Sequence, residues 1–270
     1  MHKRLKGFDL IRTLLAIGII WYHFSEELGA EASIRPFDTY GVNGNWGKMI
    51  NQMFFLLSGC LLYMHYHGSY SLKKYYWKRF RSIYPMFWIA FLYYYIQNVL
   101  ESGKLFYQGI PWTLLLSVIG MDGYLLQVIP NYYMLGEWFL GMIIVLYVLY
   151  PLVQRMIDYF PAITVIAMTG MFVGMRNVPI VHPDPQCSIV SCLFSFVIGI
   201  CVAKYRLYRK KNLNRILLVA AVVLIVLPVG MNGNLLNHLV SIALFAGLYE
   251  IGRWVTRGEE QEGSGSILAA

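Results

Sequence analysis

Long apolar runs recur along the whole chain, and they restrict its fold more than any other feature. Segments at roughly 10–24, 49–66, 83–100, 112–129, 137–153, 160–175, 188–203, 214–231 and 235–252 are nearly free of charge. A helix needs about 17–25 such residues to cross a hydrocarbon layer roughly 30 Å thick. The chain is 58% hydrophobic and 13% charged with a mean hydropathy of +0.53, more apolar surface than a soluble fold can hide. The expectation is an all-α, polytopic transmembrane helical bundle spanning 1–257. It is followed by an acidic, then Gly- and Ser-rich tail, 258–270, expected to be disordered.

The net charge of +8 is not spread over one surface. Basic residues cluster at Lys3-Arg4-Leu5-Lys6, from Lys73 to Arg81, and from Lys204 to Arg215. Short basic clusters between apolar runs mark loops on the cytoplasmic side, so no nucleic-acid partner is implied. The run after the first cluster leads into His23-Phe24-Ser25-Glu26-Glu27, with no small-residue cleavage site, and reads as a retained span.

All three clusters lie on one side only if one of the five segments between the second and third does not cross. The segment 112–129 is the one to set aside, because Gly120-Met121-Asp122-Gly123 breaks it and Pro130 closes it. About eight spans remain, plus one re-entrant or surface segment, with both termini cytoplasmic in a plasma or inner membrane. The outward loops are then 25–48, 101–136, 176–187 and 232–234.

Cys60, Cys187, Cys192 and Cys201 lack metal-ligand spacing and read as small apolar side chains. His182, Asp184 and Cys187 share a Pro-rich loop but have no regular spacing, so no metal site is expected.

The first span carries Asp9, Arg12 and His23. At about 100° per residue, Arg12 and His23 differ by roughly 20° and Asp9 lies roughly 40° from His23, so the three share one face. Eleven residues rise about 16 Å, which sets Arg12 near the cytoplasmic boundary and His23 in the outer half of the layer. Ionisable groups within spans usually face a cavity and mark a relay or a substrate path. The plainer reading is a snorkelling Asp9–Arg12 pair and an interfacial His23 with Glu26 or Glu27 as partner.

Elsewhere, Ser58-Gly59 reads as a close-packing feature, since no Gly-x-Ser-x-Gly elbow surrounds Ser58. The cluster containing Lys78, Arg79 and Arg81 is either a topology anchor or a phosphate-binding patch, with Pro85 expected to open the next span. Glu137 and Trp138 begin a span at the outward face. With Asp122 in the break and Glu26 one turn beyond His23, they are candidates to line an acceptor cavity.

Four stretches together resemble the acyltransferase-3 family of membrane acyltransferases. They are Gly7-Phe8-Asp9-Leu10-Ile11-Arg12 with His23, Phe54-Phe55-Leu56-Leu57-Ser58-Gly59, Lys78-Arg79-Phe80-Arg81-Ser82-Ile83-Tyr84-Pro85, and Trp138-Phe139-Leu140 through Tyr150-Pro151. The resemblance covers roughly 4–151. It implies transfer of an acetyl or other small acyl group from cytoplasmic acyl-CoA to a hydroxyl of a surface or exported glycan. Acetyl-CoA would be a donor substrate, with no permanently bound cofactor.

Arg79, Lys78 and Arg81 would hold the donor, with Arg12 near the thioester or phosphates. His23 would act as general base or relay the acyl group, and Asp9 completes the motif. Ser82 stands where the family often places a second arginine, with Arg81 as a substitute. A late Gly-x-Ser-Tyr-like segment is not found in 235–270, so the chain looks about two spans short. The alternatives are a truncated inactive relative, a transporter or proton relay using the same stripe, and the membrane part of a sensor or racemase.

Overall fold

The computed structural model describes residues 6–28, 37–107, 110–132 and 138–265, with side chains up to Val255. In chain order the elements are α1 (Lys6–Leu28), β1 (Thr39–Tyr40), β2 (Gly44–Asn45), α2 (Trp46–Tyr66), α3 (Leu72–Ser102), α4 (Leu114–Val118), α5 (Asp122–Leu125), α6 (Trp138–Tyr159), α7 (Pro161–Met175), α8 (Ile189–Lys204), α9 (Lys211–Val226) and α10 (Gly233–Gly265). The described residues are all-α apart from a small antiparallel hairpin that pairs Thr39 with Asn45 and Tyr40 with Gly44, and an isolated bridge between Ile180 and His182. Of the tail expected to be disordered, 258–265 continues α10 as helix, and 266–270 falls outside the described residues.

By length and composition, three described helices can cross a membrane: Lys6–Leu28, Trp138–Tyr159 and Gly233–Val255. Helices α7, α8 and α9 have 15, 16 and 16 residues. That is about 22–24 Å of helix, less than the thickness of the layer. The expected break in 112–129 is present. Gly120 takes φ +74, a left-handed conformation that suits glycine, and the short helices α4 and α5 lie on either side of it.

One expectation needs correcting. Pro85 does not open a helix but lies inside α3. The helix begins earlier because Ser71 caps it, its hydroxyl accepting the Lys74 N–H at 3.4 Å. Pro85 only forfeits the bond that would have reached the Arg81 carbonyl.

The chain divides into two compact units, residues 1–64 with 195–270, and residues 65–194. In the first, α10 packs against α1 and α9. Phe8 of α1 sits 4.6 Å from Tyr249 and 6.1 Å from Phe245 between ring centres. A Cβ on Gly252 would stand 3.0 Å from the Gly7 Cα, so the two glycines let α1 and α10 come close. The α2–α8 contact is tighter still: a Cβ on Gly59 would lie 2.1 Å from the Phe196 carbonyl oxygen, and one on Gly199 2.0 Å from that of Leu56. Lipid tails are as apolar as leucine, so helices in a membrane associate through such close packing rather than through expulsion of water. Beside this seam the buried Ser195 donates to Gln52 Oε1 at 2.9 Å.

In the second unit, α6 buries Met142, Leu146, Tyr150, Val153 and Ile157, spaced by three and four, with Ile143 beside the first. Gly141 accommodates α5, since its Cβ would lie 2.7 Å from that of Tyr124.

Candidate active site

Helix α1 presents three faces. Gly7, Phe8, Ile11, Leu15 and Ser25 are buried. Leu14, Ile17, Trp21, Phe24 and Leu28 are exposed and apolar, roughly 100° to one side of that face. Asp9, Arg12 and His23 lie roughly 130° to the other side. The exposed apolar Ala16 and Ile20 fall on this side as well, so the polar residues lie among apolar side chains rather than on a face of their own.

Along the stripe, Arg12 Nη1 lies 4.0 Å from Asp9 Oδ1, with both side chains partly exposed. A pair of this kind contributes about 0–1 kcal/mol to stability. His23 Nδ1 lies 3.4 Å from Glu26 Oε2. The other Glu26 oxygen, Oε1, accepts the Tyr22 hydroxyl at 2.8 Å. The Tyr22 ring lies across Gly47, where a Cβ would come within 2.4 Å of it, so the bare first turn of α2 seats the tyrosine. The network continues through Asn45, whose Nδ2 donates to Tyr22 Oη at 3.4 Å and to Asp38 Oδ1 at 3.0 Å. Asn237 Oδ1 accepts both the Asn45 N–H at 3.0 Å and the Tyr40 hydroxyl at 2.6 Å. Burial pushes the Tyr40 phenol upward, so it stays protonated and donates.

In the second unit, the Arg79 guanidinium carbon lies 5.6 Å from the ring centres of both Tyr66 and Tyr147. Its Nε is buried without a hydrogen-bond partner among the described residues, as is the Tyr66 hydroxyl. Lys78 Nζ stands 6.0 Å from the Tyr66 ring centre and 3.1 Å from His65 Nε2. Ser82 lies on this same face and donates to the Arg79 carbonyl at 2.8 Å. Arg81 is exposed and, two residues on, points roughly 200° away from Arg79. Lys78 and Arg79 thus form a cationic pair against aromatic faces, while Arg81 stands apart.

Of the remaining candidates, Asp122 is buried at the start of α5, its carbonyl accepting from Asn131 at 3.0 Å. Trp138 opens α6 with its ring 5.8 Å from that of His182. Glu137 lies outside the described residues. His182 and Asp184 serve the backbone of their own loop: Nδ1 of the first accepts the Asp184 N–H at 3.1 Å, and Oδ1 of the second accepts the Gln186 N–H at 2.9 Å. Among the described residues, no three His, Cys, Asp or Glu side chains gather as a metal site.

The family described as "Acyltransferase domain", acyltransferase-3, matches residues 5–256. The chain belongs to the acyltransferase-3 family. No curated protein and no solved structure matches it. As an acyltransferase-3 domain it is a membrane acyltransferase. The match takes in both the α1 stripe with its Glu26–Tyr22–Asn45 extension and the Lys78–Arg79–Tyr66–Tyr147 cluster.

Several members of these clusters are not evident from the acyltransferase-3 motifs. Tyr66 and Tyr147 flank Arg79 from separate helices. Asn237 and the fully buried His238 sit on α10, where His238 Nδ1 lies 2.7 Å from the Asn234 carbonyl oxygen. Polar residues inside an apolar run, such as Asn237, His238 and Gln52, are the signal that marks this second set.

Proposed function

We propose that this acyltransferase-3 protein transfers an acetyl or other small acyl group from cytoplasmic acyl-CoA to a hydroxyl of a surface or exported glycan. On this reading it is a multi-pass protein of the plasma or inner membrane with both termini cytoplasmic. The observation that carries the chemistry is the His23–Glu26–Tyr22 arrangement. Glu26 engages Nδ1 of His23. Nε2 is left to take a proton, the geometry of a base oriented by a third group.

In the reaction, the acceptor hydroxyl oxygen attacks the thioester carbonyl while its proton passes to His23 Nε2. The C–S bond then breaks, and the coenzyme thiolate regains a proton to leave as the free thiol. Lys78 and Arg79 are suited to the donor's phosphates, since a planar guanidinium and an ammonium bind such oxygens through charge-assisted hydrogen bonds. Arg12 would hold the donor nearer the thioester, with Arg81 as a peripheral cation and Asp9 orienting Arg12. Glu26, Trp138, Asp122 and Glu137 are assigned to the acceptor side.

The test is mass spectrometry of host surface glycans with and without the gene. An acyl mass difference that disappears in the His23→Ala strain is expected. Unchanged glycans in the gene deletion would remove the reading.

A further inference from the structure

A cavity of about 420 Å³ in the second unit is not used by the chemistry above. Ser69 and Tyr70, in the turn between α2 and α3, form one wall, and Gln154, Arg155, Asp158 and Tyr159 of α6 form the other. Its size falls within the usual range for small-molecule sites, roughly 300–1,000 Å³, and its lining mixes aromatic faces with a few convergent polar groups.

The Tyr70 hydroxyl is buried without a hydrogen-bond partner among the described residues. Burial pushes it up to about 12, so it is an O–H donor at neutral pH. Opposite it, the buried Gln154 donates through Nε2 to Asp158 Oδ2 at 2.8 Å, which directs the amide oxygen of Gln154 elsewhere as an acceptor. One donor and a set of acceptors around aromatic rings suit a purine edge, with its ring nitrogens and exocyclic amine. Arg155, exposed at the rim, supplies a cation for a phosphate.

The cavity is linked to the cationic pair through one side chain. The Tyr70 ring centre is 5.3 Å from that of Tyr66, and Tyr66 is the ring against which Arg79 and Lys78 lie.

We infer that this cavity binds the 3′-phosphoadenosine end of the acyl-CoA donor, with the base against Tyr70 and Gln154, the 3′-phosphate at Arg155, and the diphosphate running toward Lys78 and Arg79. The inference rests on the donor assignment made above and extends it to a base-recognition site.

The test uses the full chain in membranes and three donors: acetyl-CoA, its 3′-dephospho form and acetyl-pantetheine, which lacks the nucleotide. Arg155→Ala is expected to raise KM about tenfold for acetyl-CoA and to leave the 3′-dephospho donor unchanged. Tyr70→Phe is expected to raise KM severalfold for both nucleotide donors, with acetyl-pantetheine unaffected in either variant. Equal effects on acetyl-pantetheine, or none on acetyl-CoA, would overturn the assignment of this cavity while leaving acyl-CoA as the donor. A wild-type protein that neither binds nor uses acetyl-CoA overturns the donor assignment together with the cavity. Arg155 is exposed, so its replacement reads binding rather than folding.

Discussion

The guanidinium of Arg79 lies 5.6 Å from the ring centre of Tyr66, with Nε of the same side chain buried and without a hydrogen-bond partner among the described residues. A buried donor left in this state costs about 1–3 kcal/mol, and an incoming acceptor recovers it. Arg79→Ala is therefore expected to raise KM for the acyl donor about ten- to hundredfold, as the loss of a charged hydrogen bond of about 1.5–3 kcal/mol predicts. Tyr66→Phe, which keeps the ring, should change it far less. Donor titration of acyl transfer in membranes checks both, and an unchanged KM in Arg79→Ala would reduce the cluster to a topology anchor.

His23→Ala is expected to lower transfer by about 10²–10⁴-fold, the usual contribution of a positioned acid–base group. Glu26→Gln keeps an acceptor for Tyr22 but loses the charge beside His23. It should lower kcat by roughly tenfold with KM nearly unchanged. Membrane insertion, read by fractionation, should be normal in both. Full activity in the His23 variant would end its assignment as the base.

Asn237→Leu removes the acceptor shared by Tyr40 and the Asn45 backbone. At about 1–3 kcal/mol for buried groups left unsatisfied, the purified protein should melt roughly 5 °C lower in detergent. An unchanged Tm would mean that water satisfies those groups.

The four native cysteines are all buried, so a cysteine introduced on the surface can be read alone. Val178→Cys, at an exposed position in the 176–187 loop, should react with a membrane-impermeant maleimide added from outside. Labelling only after the membrane is opened would require a different span count.

The stripe of Asp9, Arg12 and His23 was legible because helical periodicity depends only on spacing within one element. The break at Gly120 was equally local. Pro85 was misread because a proline at a boundary and a proline inside a helix look alike until the earlier Ser71 cap is noticed. The Arg79 cluster was only half legible: a chain with 21 tyrosines offers many partners, and no local pattern singles out Tyr147, which comes from another helix. Nor does an apolar run by itself give the helix within it. The segment 214–231 becomes α9, ending at Val226, because Pro228 disfavours helical backbone in the residue before it.

The bond between Gln52 and Ser195 also bears on how the protein is made. Its two ends lie 143 residues apart, and at about 5–20 residues per second the ribosome needs on the order of ten seconds to travel between them. Through that interval α2 exists without the Ser195 hydroxyl beside Gln52 and with the notch at Gly59 open, because α8 has not been synthesised. The α2–α8 seam therefore closes only after the whole intervening unit, residues 65–194, has been made.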